Sequence, residues 1–139
     1  MKIKKMLALV CACACLITLV VPTFASADRA SDQISSYRME TIVTEGAIHV
    51  EFSITGKNLT DKLGCQSIFL YEKVGSSWKL IAEKDEDDYG MSNTNKINHA
   101  NTITFAGTAG VEYKVIVTVF AKNSEGRDAR AKIFYVTGK

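Results

Sequence analysis

Proline is almost missing from this chain of 139 residues: Pro22 is the only one. Beyond it no residue is barred by its ring from donating to a hydrogen-bonded ladder. Histidine occurs twice, at His49 and His99, so an imidazole-based catalyst or metal site would need the fold to bring both rings together. Cysteine is scarce where a framework of disulfides would need it. Cys11, Cys13 and Cys15 lie in an apolar N-terminal run, and Cys65 stands alone in the rest of the chain. A lone cysteine makes no internal disulfide, so stability has to come from the core. Cys65 is read either as a small buried hydrophobe or as an exposed thiol able to pair two chains.

A basic excess is also absent once the N-terminus is set aside. The formal charge is +2, and removing Lys2, Lys4 and Lys5 takes the 17 basic residues to 14 against 15 acidic ones. That balance offers no stripe for nucleic acid and no patch for an anionic membrane.

What is present begins with Lys2, Lys4 and Lys5 ahead of an apolar run over residues 6–21, interrupted only by Thr18. Ala25-Ser26-Ala27 follows, with small residues at the positions that a signal peptidase accepts. Residues 1–27 are therefore expected to be an export signal cleaved after Ala27, leaving 28–139 as one secreted, extracellular domain with no membrane attachment after cleavage. The apolar run is shorter than the roughly 20 residues that a spanning helix needs.

Downstream, strand patterns dominate. Ile48, Val50, Phe52 and Ile54 alternate with His49, Glu51, Ser53 and Thr55, a period of two that gives one buried and one wet face. A strand over residues 37–44 precedes it through a turn at Glu45-Gly46. Residues 56–64, with Gly56, Asn58 and Asp61, read as a loop. Strands over 66–74 and 78–84 flank a turn at Gly75, and 85–98 reads as a long polar segment. A short strand at 102–106, the most strongly β-prone segment of the chain at 111–122 and a last strand at 128–137 complete seven strands, an all-β antiparallel sandwich without a convincing helix.

The stretch from Gly107 to Asn123, with Tyr113 followed by Val115, Val117 and Val119, resembles the turn and sixth strand of fibronectin type III and immunoglobulin-like domains. The resemblance implies that Tyr113 buries its ring and bonds its hydroxyl to backbone a few residues upstream. A second resemblance covers nearly all of residues 28–139, through residues 29–37, 71–78, 85–92 and 134–137. These are similar to a family of small exported proteins of Gram-positive bacteria known as a domain of unknown function. It implies a secreted single domain and brings no activity or site residue.

Several local features invite a chemical reading. The run Asp85-Glu86-Asp87-Asp88 before Tyr89-Gly90 invites Ca2+, because hard cations take several carboxylate oxygens; Asp85, Asp87 and Asp88 are the candidate metal ligands. The alternative is a solvated loop that keeps a sheet edge from pairing. No other cofactor is indicated. Ser76-Ser77-Trp78-Lys79 has the spacing of serine-lysine hydrolases but falls in a predicted hairpin turn. Gly126-Arg127-Asp128 sits at a predicted loop tip in an order that differs from the adhesion tripeptide. If Tyr113, Val115, Val117 and Val119 face inward, Ile116 and Phe120 face outward and form a candidate interaction face.

No catalytic constellation stands out. The sequence points to a non-catalytic binding or adhesion module for an extracellular protein or glycan. The alternatives are a small secreted hydrolase and a self-assembling surface protein, the last favoured by self-association through an exposed Cys65.

Overall fold

The computed structural model describes residues 31–139; the expected leader and the cleavage point at Ala27 lie outside the described residues. About 80% of what is described is strand, with no helix. Six strands follow in chain order: β1, Ile34–Thr44; β2, Ala47–Val74; β3, Ser77–Asp85; β4, Ser92–Ala106; β5, Glu112–Asn123; β6, Gly126–Thr137. All pairings are antiparallel, and all of them belong to one curled sheet.

β2 organises the fold. Its 28 residues are far longer than the usual strand of roughly 5–6, because each half serves a different group of partners. The first half pairs with β1 on one edge and β4 on the other. The second half pairs with β5 and β3 in the same way, and β6 extends the sheet beyond β5. Curling brings the inward side chains of both halves together. Ile48, Val50 and Ile54 from the first half, Leu63, Ile68 and Leu70 from the second, and Val115, Val117 and Val119 from β5 are all fully buried. The alternation read from the sequence therefore sets which side chains form the core.

The seven strands expected from the sequence become six because residues 56–64 are not a loop. They carry β2 from one half to the other, and the polar residues of β4 supply their partners: Thr60 pairs with Lys96, Lys62 with Thr94 and Gly64 with Ser92. Thr60 is buried, and its hydroxyl donates to the Lys96 carbonyl at 2.6 Å. Part of the expected polar segment 85–98 is accordingly β4. A register shift between Thr55 and Thr60 marks the bend, where an extra stretch of chain lets a strand change direction. Gly56 lies there because a Cβ would stand 2.6 Å from the Thr60 methyl and 2.9 Å from the Asn58 carbonyl oxygen.

Two sets of bonds hold the curl together. At one end the Asp128 carboxylate accepts from Ser31 Oγ at 2.6 Å and from the Gln33 backbone N–H at 3.0 Å, joining the start of β6 to the chain entering β1. Elsewhere the Gly46 N–H donates to the Lys139 carbonyl, and Gly138 exchanges bonds with Val111 and Gly110, each near 3.0 Å. The bond from Ser31, then that from Gln33, holds the Asp128 carboxyl below its ordinary value of 3.8. A depressed carboxyl stabilises the fold above its unfolded pKa, and that contribution disappears as pH falls through the folded value. Asp128→Asn is expected to lose about 1.5 kcal/mol at neutral pH, the scale of hydrogen bonds to a charged group. In urea titrations the gap from the parent should narrow below pH 4; a gap that is constant from pH 7 to 3 would show that the charge plays no part.

Candidate binding face

The acidic run is a strap. Asp85 and Asp88 spend their carboxylates on their own turn: Asp85 Oδ1 accepts the Asp87 N–H and Asp88 Oδ2 accepts the Asp85 N–H, both at 2.8 Å. Asp87 Oδ1 accepts from Lys62 Nζ at 2.7 Å. Glu86, which the sequence reading passed over, sits between two cations, 3.0 Å from Lys62 Nζ and 2.8 Å from an Arg127 nitrogen. No group of three or more His, Cys, Asp or Glu side chains placed to hold a metal ion occurs among the described residues.

Arg127 pulls the Glu86 carboxyl below its ordinary 4.5, aided by Lys62 and opposed by partial burial. Asp87 first, then Glu86, raise Lys62 above its ordinary 10.5. Glu86 helps stability above its unfolded pKa and Lys62 below its own, so the strap is held from the mid-fours to above pH 10.

The strap accounts for Phe120. The residue points outward as expected, yet it is fully buried and stands apart from the main core. Its cross-strand neighbours are Gly64 and Ala129, and the ring lies in the slot between them. Arg127 closes the slot, its guanidinium 4.0 Å from the ring centre and anchored to Glu86 and to Gln66. Phe120 therefore offers no surface to a partner, which corrects its place in the expected interaction face. The Gly126-Arg127-Asp128 tripeptide is likewise engaged within the molecule, Arg127 in the strap and Asp128 at the β1 entry.

Cys65 is fully buried. Its thiol lies 3.3 Å from the Thr118 carbonyl and 3.4 Å from that of Ser67. Burial pushes its pKa up to about 12, so the native protein has almost no thiolate to react or crosslink. A thiol reagent added at pH 8 should leave it untouched and label it fully in urea; rapid stoichiometric labelling without denaturant would contradict its burial.

The two histidines occupy opposite faces of the sheet. His49 is bound by the hydroxyls of Thr44 and Thr104 at 2.8 and 2.9 Å. His99 Nε2 lies 2.9 Å from the Gly90 carbonyl, and its ring centre is 5.7 Å from that of Phe52. Ser76 and Ser77 lie in the β2–β3 hairpin, as expected for a turn. A cleft of about 290 Å3 lined by Arg38, Glu51, Ser53 and Asn101 opens beside the first half.

Ile116 belongs to a larger surface. On the outer side of β3, β2, β5 and β6 the cross-strand partners form successive rows: Leu80, Tyr71, Lys114 and Tyr135, then Glu83, Phe69, Ile116 and Ile133. Leu80, Ile133 and Tyr135 are exposed, Tyr135 by 67%. Trp78 reaches in from β3 and Tyr135 from β6 until their ring centres are 5.8 Å apart. Lys114 Nζ lies over the Tyr71 ring, 4.5 Å from its centre, and 5.3 Å from the centre of Trp78. The sequence could reach Ile116 through alternation, but Trp78 and Tyr135 are 57 positions apart, and only the register of four strands places them together.

No protein family, curated protein or solved structure matches this chain.

Proposed function

We propose that this chain is an exported, non-catalytic binding module, and that the outer face of β3, β2, β5 and β6 is its contact surface. The observation that carries the reading is the run of exposed Leu80, Ile133 and Tyr135 continuous with half-buried Phe69, Tyr71, Trp78 and Ile116. A contiguous apolar surface on an otherwise alternating sheet is what partner-binding faces present, with aromatic residues as anchors. The export part rests on the residues that precede the described chain, Lys2 to Ala27.

Within this reading the curled sheet is a variant of the immunoglobulin-like and fibronectin type III sandwich. Tyr113 supports it: the ring is buried and the hydroxyl accepts the Thr108 N–H at 2.8 Å, five residues upstream. The likeness to the small exported Gram-positive family is part of the same proposal.

Carbene footprinting of the purified protein, alone and in the extracellular fluid of the producing cells, tests the contact surface. Protection is expected at Leu80, Ile133 and Tyr135, with Ile42 and Leu59 unchanged as exposed controls elsewhere. Equal labelling of all five, or protection confined to the controls, would remove the face from consideration.

A further inference from the structure

We infer that the aromatic surface around Lys114 takes an acidic saccharide, a chain of sugar rings carrying carboxylate or phosphate groups. The inference rests on the outer face being the contact surface and adds the chemistry of what it contacts.

The rings supply the first half of the argument. Trp78 and Tyr135 are held together at 5.8 Å, and Tyr135 is 67% exposed. The face of an aromatic ring is electron-rich, and the C–H face of a pyranose ring is flat and slightly positive, so the two stack. Each partner keeps a polar rim, hydroxyls on the sugar and the phenol O–H on Tyr135, free to meet water. A hollow of about 220 Å3 bounded by Trp78, Tyr135, Lys73 and Glu112 adjoins the rings. That is below the roughly 300 Å3 at which sites for drug-sized ligands begin, and it suits one ring of a longer chain lying along the surface.

Charge supplies the second half. Lys73 is paired with Glu112 at 3.1 Å. Lys114, at the centre of the surface, makes its close contacts with ring faces, and no carboxylate lies within ion-pair distance of it among the described residues. A cation framed by low-dielectric rings attracts an anion more strongly than one surrounded by water.

The same lysine argues against other occupants. A second copy docked face to face would bury Lys114 at the middle of the contact, and lysine is depleted from the centres of protein interfaces. An extended peptide recognises a sheet through a free edge, where main-chain donors and acceptors are unpaired. This surface is the flat of the sheet, and the backbone groups of β2 and β5 at its centre are already paired on both sides.

Trp78 is the only tryptophan, so its emission reports on this site alone. Polygalacturonic acid titrated into the purified protein should shift that emission saturably, whereas neutral dextran should not. Lys114→Met keeps the aliphatic stem and removes the charge; it should weaken the polygalacturonate response at least tenfold. Tyr135→Ala, at an exposed position, should weaken it similarly with an unchanged melting temperature, and it decides the matter should Lys114→Met fold poorly. An unmoved emission, an equal response to dextran, or a polygalacturonate response that survives both substitutions would overturn the inference. So would a Lys114-dependent response to polyaspartate as strong as that to the sugar polymer, which would assign the site to acidic polypeptides. Footprint protection at Tyr135 together with a silent titration would leave the contact surface standing and remove only the saccharide; loss of both would remove both.

Discussion

Phe120→Ser is expected to destabilise the protein by about 3 kcal/mol or more, the scale of emptying a buried aromatic site. The loss has two sources. Removing the ring empties the slot between Gly64 and Ala129, which a serine side chain is too small to fill. Arg127 also loses the ring face on which its guanidinium rests. Urea unfolding of the variant and its parent checks this. A change below 1 kcal/mol, accompanied by lost association with a partner, would mean that Phe120 works as a surface residue after all.

Gly64→Ala is expected to cost as much or more, for a backbone reason. Gly64 has a φ of 150°, a conformation that residues with a Cβ rarely adopt. A Cβ there would run into the Met91 carbonyl oxygen and stand 2.6 Å from the Ser92 Cα. The carbonyl has nowhere to retreat, because it accepts the Cys65 N–H at 2.7 Å. Relief would require breaking that bond and lifting the chain that leads from the strap into β4. We expect a loss of about 3 kcal/mol or more by urea unfolding, in the range that marks a specific structural conflict. Gly75→Ala serves as the comparison: its φ is also positive, but nothing lies within 4 Å of the added Cβ. Losses of similar, small size in both variants would show that backbone conformation matters and the close approach at Met91 does not.

The two substitutions bear on the proposed contact surface in different ways. Phe120 lies two positions along β5 from Thr118 and four from Ile116, on the same side of the sheet. The strap ends the apolar surface there by covering its last ring. Glu86 and Arg127 thus set where the face stops, while Trp78 and Tyr135 set where its centre lies.

Much of the fold was legible in the residues themselves. Strict alternation from Ile48 to Ile54 and from Tyr113 to Val119 named the core side chains, because a strand's side chains alternate whatever it pairs with. The turns at Gly46 and Gly75 were legible through glycine, and both have positive φ. Tyr113 was found through resemblance, and its hydroxyl bond to Thr108 is of the expected kind. Residues 56–64 misled, since Gly56, Asn58 and Asp61 are loop-prone locally; the pairing of Thr60, Lys62 and Gly64 with β4 overrode that preference. Phe120 misled for a related reason. Alternation says which side of the sheet a residue is on, and it cannot say what lies above it.

Local sequence by itself determined that residues 31–139 are all-β and which side of the strands over residues 48–54 and 113–119 faces the core, since both follow from side-chain type and a period of two; it left open which of Ile68/Leu70 and Phe69/Tyr71 faces inward. Tertiary structure alone decided that two predicted strands are one, that the acidic run is clasped by Lys62 and Arg127, and that Trp78 meets both Tyr135 and Lys114. Those outcomes depend on register between segments tens of residues apart, and register is set by the summed fit of all the strands at once.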